Sequence, residues 1–387
     1  MIGKGRGGRA VAVPGAWPME SEKTPDDILL RLSLVEGFGA RHLARLFHRN
    51  GASPRSGERE YDAGHGPDRD ILRNAVSAAL SPEAGSRAAR VREACAGIGA
   101  SIVGIDSDDY PPLLRSVPDA PIVLYRIGDP SVAPASVAVV GSRAPTSVAA
   151  DFALALSADL AMSGWTVVSG MARGIDAAAH EGALRGGGRT VAVLGCGVDV
   201  VYPPEARRLR ERIVANGALL SEYPPGTRPL PGNFPARNRL ISGLSRGVVV
   251  VEAASRSGAL ITARCALDQG REVMAVPGNP LFPHTEGSNR LLRDGAVLVA
   301  GAADVLMALG WRGPADFGGR RPGEPSLAGE AGREREILRF LATERTVNDL
   351  AEGLGIPVAE LLPCLLDMEL RKLLERRPGD YYKKMSI

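Results

Sequence analysis

Six short apolar runs stand in series from Val137 onward: VAVVG, TVVSG, TVAVLG, ALLSE, GVVVVEA and EVMAVPG. Helical stretches such as TSVAADFALALSADLAMS and ITARCALDQG separate most of them. A strand with one wet face alternates apolar and polar residues. These runs are near-continuously apolar, so both of their faces must be covered. Alternation with helices then specifies an α/β fold built on a parallel sheet. Ligands of such sheets bind beyond the carboxyl ends of the strands, so the residues after each run are the ones to weigh.

With 387 residues the chain is too long for one compact core, and two or three domains are expected. Residues 1–24 have no apolar segment of signal-peptide type and are expected to be disordered. Residues 27–48 predict two short helices around Gly37-Phe38-Gly39, with Arg41 and His42 nearby. The turn can offer backbone N–H groups to a phosphate, or simply join a helical hairpin. A polar loop over 51–70 and further helix to about 97 complete an N-terminal helical domain, 25–95. The sheet domain is assigned to 96–312. Residues 313–331 are rich in Gly and Pro and poor in apolar residues, which predicts a flexible linker. Beyond it, over 332–387, REREILRFLA, VNDLAEGL and VAELLPCLLDMELRKLL predict three amphipathic helices and RRPGDYYKK a hairpin, the winged-helix pattern.

The 47 basic residues against 44 acidic ones give a net charge of only +3, so any anion site must be local. The four cysteines, Cys95, Cys196, Cys265 and Cys364, are widely spaced, which points to reduced thiols in a cytosolic protein and not to zinc or disulfides. No apolar run is long enough to span a bilayer.

Four strand ends carry glycines, hydroxyls or arginines: Gly141-Ser142-Arg143 with Thr146; Ser169-Gly170-Met171-Ala172-Arg173; Gly195-Cys196-Gly197; and Ser255-Arg256-Ser257-Gly258. Glycine lets a ligand approach the backbone, and helix N-termini present free N–H groups to anions. One such loop says little; four on one rim argue for an anion site. The chain has no GxxxxGK[ST] and no GxGxxG after the first run, which argues against a P-loop nucleotidase and a classical dinucleotide site. His180 stands alone, and helix packing or capping is its simpler role. Asp176, Asp199 and Glu252 have no metal-ligand spacing, and turn geometry suffices for the two aspartates.

The stretch FPARNRLISGL, residues 234–244, places Phe234, Arg237, Asn238 and Arg239 together. Alone, it is most simply a core phenylalanine beside a solvated helix start. In context it follows the long loop YPPGTRPLPGN, and no acidic residue lies between Glu222 and Glu252, where Arg228, Arg237, Arg239 and Arg246 fall. Arginines clamp phosphates and Phe stacks bases, so the stretch suits the wall of a groove for a single strand.

VAVVGSR, SGMARGIDAAAH, VLGCGVDVVYP, SEYPPGTRP, FPARNRLISGLS, VVVVEAASRSGALITARCAL and AVPG…GSNRLLRDGA, in that order, resemble the DNA-processing protein A (DprA, also called Smf) family over roughly residues 98–310. The resemblance implies an extended Rossmann-like domain, flanked by an N-terminal sterile-alpha-motif-like helical domain and a C-terminal winged helix. It implies a cytoplasmic homodimer without cofactor, metal or catalysis that binds single-stranded DNA and loads a RecA-type recombinase in natural transformation. By motif, it places Gly141, Ser142, Arg143, Ser169, Gly170, Met171, Arg173, Phe234, Arg237, Asn238 and Arg239 at the DNA, with Ser257 and Gly258 at the rim. One departure stands at Glu205-Ala206, near where relatives usually carry asparagine.

Two other functions are weighed. A nucleotide phosphoribohydrolase of the lysine-decarboxylase-like type would need a PGGxGT-like loop with a catalytic Glu; AVPGNPLFPHTEGSN has the PG alone. A winged-helix transcription factor would use the basic tail, where Arg371, Lys372, Arg376, Arg377, Lys383 and Lys384 outnumber Glu375 and Asp380. That tail suits duplex DNA or a solvated face of a protein-interaction module equally.

Overall fold

The computed structural model describes residues 25–35, 74–129, 135–311, 337, 340–341, 345–370, 373–377 and 381–384. The Gly37-Phe38-Gly39 turn, Arg41, His42, the 51–70 loop, residues 1–24, the 313–331 stretch, Arg371 and Lys372 lie outside them. The chain divides into two compact units, Met1–Phe317 and Gly318–Ile387, and the division falls inside 313–331.

The strands of the first unit are β1 (Ser101–Gly104), β2 (Val123–Gly128), β3 (Ser136–Val140), β4 (Thr166–Ser169), β5 (Thr190–Leu194), β6 (Gly217–Ser221), β7 (Gly247–Val250), β8 (Glu272–Ala275) and β9 (Val297–Leu298). Its helices are α1 (Pro25–Ser33), α2 (Pro82–Gly97), α3 (Pro112–Arg115), α4 (Ser147–Met162), α5 (Ile175–Arg185), α6 (Arg207–Asn216), α7 (Asn233–Gly243), α8 (Ala259–Asp268), α9 (Glu286–Arg293) and α10 (Ala302–Ala308). One sheet holds all nine strands in the order β1-β2-β6-β5-β4-β3-β7-β8-β9. From β6 to β9 every pairing is parallel, while β2 runs antiparallel to both β6 and β1. The six apolar runs are β3 to β8.

β3 sits centrally, with Ala138 in register with both Val168 of β4 and Val248 of β7. Its side chains alternate between two separate cores. Val137 and Val139 pack with Leu156 and Leu160 of α4 and Ala179 of α5, while Ala138 and Val140 pack with Leu240 of α7 and Ala263 of α8. Both faces being buried, the run needs no polar residue. The hydroxyl of Thr146 caps α4 by accepting from Ala149 N at 3.2 Å.

β1 and β2 lie outside the six runs. β2 carries Arg126, only 7% exposed, which pairs with Asp109 at 3.4 Å. The N-terminal helices share their core with this edge: Leu29, Leu30 and Leu32 of α1, Ala75, Ala79 and Ala88 pack with Ile122, Val123 and Tyr125. The helices of 25–95 thus belong to the same compact unit as the sheet.

The second unit contains α11 (Val347–Leu354), α12 (Val358–Leu370) and strands β10 (Arg345–Thr346), β11 (Leu374–Arg377) and β12 (Tyr381–Lys384) in the order β10-β12-β11. The hairpin β11–β12 is the wing, joined by the short β10 in front of α11. Thr346 and Asp349 form a capping box on α11, and Leu350, Leu361, Leu365 and Tyr382 lie in one core.

His180 ties α5 to the sheet. It is fully buried, with Nδ1 2.7 Å from Thr190 Oγ1, whose hydroxyl donates to Val167 O at 2.8 Å. The hydroxyl proton being committed, Nδ1–H is the donor. Burial, aided by the Arg237 cation, pushes the His180 pKa down to about 3. Unfolded chains protonate this ring near pH 6.5 while the native ring stays neutral, so stability falls as pH drops from about 6.5 toward 3. The expected loss from this group is about 2 kcal/mol by pH 5. Urea midpoints of wild type and His180→Gln should therefore converge between pH 8 and pH 5; a constant gap contradicts the assignment.

Candidate functional site

The carboxyl ends of β3, β4 and β5 and the first turn of α7 enclose a concavity of about 50 Å3 lined by Arg143, Gly170, Met171, Arg173, Tyr202 and Phe234, with Arg237 at its inner wall. The loop from β4 to α5 passes through Met171, the one described non-glycine residue with positive φ, at 56°. Its side chain is 2% exposed in a core with Leu194 and Leu209, so Met171 contributes backbone to the rim and anchors the loop from beneath.

Arg237 departs from the expectation of a phosphate clamp. It is 3% exposed, and its Nη1 donates to Gly170 O and Val193 O at the ends of β4 and β5. Burial pulls its pKa down, opposed by the nearby carboxylate of Asp176, whose own pKa burial raises. Gly170 is glycine because Arg237 lies against it: a Cβ there would stand 2.5 Å from Nη1. Gly195 makes room likewise for Phe234, whose Cδ1 would stand 3.0 Å from a Cβ. At these two positions glycine admits a side chain of the protein itself.

Arg239 is also internal. Its Nη2 pairs with Glu222 at 2.6 Å and its Nε with Asp119 at 3.2 Å, and its side chain is 14% exposed. With two carboxylates it has no charge to offer a phosphate, and the expected DNA contact is replaced by a structural one. Ser169 is fully buried and donates to Val139 O at 2.7 Å, so its hydroxyl is not on the rim. Asn238 Nδ2 donates to Gly258 O at 3.2 Å, bracing the loop in which Ser257 Oγ accepts from Ala259 N. Ser142 Oγ likewise serves its own turn, accepting from Ala144 N at 3.2 Å next to the half-buried Gly141. Ser142, Asn238, Ser257 and Gly258 do not line the concavity.

The chain order reverses between β3 and β7, where open α/β sheets usually bind ligands. Here that place is filled from within. Glu252, 3% exposed, accepts from Thr146 N at 3.2 Å and from Thr146 Oγ1 at 2.8 Å, so a carboxylate of the chain already meets the start of α4. Asp176 accepts from Ala172 N at 3.2 Å and Asp199 from Gly226 N at 2.9 Å, both as loop braces.

What faces outward is an aromatic and cationic surface. Phe234 is half-buried with its ring 5.4 Å from that of Tyr202, which is 41% exposed. The exposed Arg143 guanidinium lies 5.7 Å from the Phe234 centroid and that of Arg237 lies 5.9 Å from it. Arg143 has no carboxylate within ion-pair distance among the described residues. Arg173, also exposed, pairs with Glu205. Tyr202 was not among the residues expected here. Its signal was an aromatic next to proline beyond the end of β5, in a chain with only 4% aromatic residues.

The sequence and the fold have known relatives. Residues 101–310 match the model of the family described as DNA recombination-mediator protein A, and residues 321–380 match the DprA winged helix domain. Protein Smf of Synechocystis is 37% identical over 72% of this chain and 79% of its own length. Protein Smf of Escherichia coli is 40% identical over 73% of this chain and 77% of its own. Among solved structures, DNA processing protein A of Streptococcus pneumoniae is similar with a TM-score of 0.60 and 34% identity, covering 74% of this chain and 98% of that one. DNA processing protein A of Helicobacter pylori, described for its single-stranded DNA binding mode, gives a TM-score of 0.50 and 30% identity over 56% of this chain and 97% of that one.

The two arginines beside Phe234 should separate on stability. Arg237→Ala leaves two carbonyls and a buried carboxylate uncompensated and should cost about 3–5 kcal/mol. Arg143→Ala should stay within about 0.5 kcal/mol of wild type. Urea denaturation of both variants checks this; equal midpoints contradict the structural role of Arg237.

Proposed function

The chain belongs to the DprA family, and on that premise we propose that it binds single-stranded DNA across the concavity at the ends of β3, β4 and β5. The observation that carries this is the exposed Arg143 guanidinium set beside the Phe234–Tyr202 pair. A cation meets the phosphate and the aromatic rings meet the bases. Every base has a π-face, so such a surface grips a strand without reading its sequence. A paired duplex keeps its bases stacked on one another and has none to offer. The Helicobacter pylori relative, whose structure is described for single-stranded DNA binding, supports the same reading.

Within this proposal the protein acts without catalysis. The bound strand is passed to a RecA-type recombinase by a cytoplasmic homodimer. Among the described residues no helix is long and apolar enough to cross a membrane.

Fluorescence anisotropy with labelled oligothymidylate across a salt series provides the test. Arg143→Ala should weaken binding to all sequences and flatten the log–log salt slope by about 0.7, the share of one phosphate contact. Phe234→Ala and Tyr202→Ala should each cost about 1–3 kcal/mol with the slope unchanged. Unaltered affinity in all three folded variants, or a preference for duplex of equal length, would overturn the proposal.

A further inference from the structure

The rim carries one cation that its own chain has already occupied. Arg173 lies at the mouth of the concavity beside Tyr202, and its Nε donates to Glu205. Glu205 stands three residues after Tyr202, in the 3-10 turn Pro204–Ala206. Both members of the pair are open to solvent, with side-chain exposures of 65% and 55%. The contrast with Arg239 is instructive. That arginine is only 14% exposed and is clasped by two carboxylates, one of them 15% exposed, as a fixed part of the fold. The Arg173–Glu205 pair is mostly open to solvent. An exposed ion pair of this kind contributes little to stability, yet it determines what the guanidinium can bind.

We infer that Glu205 is an internal stand-in for a phosphate: it occupies Arg173, keeps it as a latent DNA contact, and limits how tightly the rim holds a strand. A carboxylate and a phosphate oxygen compete for the same donors of a guanidinium. A strand crossing from Arg143 over the two aromatic rings comes to Arg173 next, where it meets a neutralised pair with a carboxylate facing its backbone. Arg207 and Arg208, both exposed, open α6 two and three residues after Glu205. A grip weakened at one contact suits a protein that must give up the strand it binds.

This inference rests on the single-stranded DNA reading of the same site. The test compares wild type, Glu205→Gln, Arg173→Ala and the double variant Arg173→Ala/Glu205→Gln for oligothymidylate binding at several salt concentrations. Both side chains are exposed, so all variants are expected to fold, which thermal melts check. Glu205→Gln should bind roughly 2- to 5-fold tighter at low salt, with a log–log slope steeper by about 0.7, one additional phosphate contact. The double variant should return to the wild-type slope, because the new contact is Arg173 itself. If Glu205→Gln matches wild type in affinity and slope, the inference fails while the DNA reading stands. If the steeper slope survives in the double variant, the acid acts by general repulsion and Arg173 is no latent contact. A wild type that does not bind oligothymidylate at all defeats the DNA reading and this inference with it.

Discussion

The Arg237 guanidinium, buried against Gly170 O and Val193 O, is the interaction on which the rest of the site depends. Adjacent parallel strands end in carbonyls with no further ladder partner, and a strand end facing a ligand cannot leave them unpaired within the protein. Arg237 satisfies two such carbonyls at once from the neighbouring helix. In doing so it fixes the first turn of α7 against β4 and β5 and sets Phe234, three residues earlier and one turn away, over Gly195. Asp176 supplies the compensating charge from the start of α5. The outward surface of Phe234, Tyr202 and Arg143 is thus held by a cation that never reaches the solvent.

The same economy of charge runs along the whole rim. Carboxylates of the chain take up backbone donors along it: Glu252 that of Thr146 at the start of α4, Asp176 in the first turn of α5 that of Ala172, and Asp199 that of Gly226. The exposed cation that remains beside the aromatic rings is Arg143, after β3. The concavity itself, about 50 Å3, is shallow and open.

The sheet was legible because its central strands are buried on both faces, so that Val137 to Val140 could be apolar without a break. β1 and β2 were not, because an antiparallel edge tolerates a residue such as Arg126 and lacks that signal. The location of the site followed from the loops after the strands. The division of labour among its arginines did not, because burial is decided by partners distant in sequence. Arg237 and Arg239 are two apart on a helix and so point to nearly opposite sides. One meets the ends of β4 and β5, and the other meets Glu222 and Asp119. The glycines misled for a related reason. Gly170 and Gly195 do mark a close approach, that of Arg237 and Phe234. Glu205 was visible as a departure, while its effect required knowing that Arg173 lies across the turn from it.

On the proposed reading a single strand lies on Phe234 and Tyr202. Irradiating the full-length protein in complex with an oligothymidylate carrying single 5-iodouracil substitutions, then mapping the adducts by peptide mass spectrometry, tests it most directly. Adducts are expected on Phe234 or Tyr202 in the first unit, lost when unlabelled single strand competes. Adducts confined to residues 337–384, with none on either ring, would place the strand on the winged helix and contradict it.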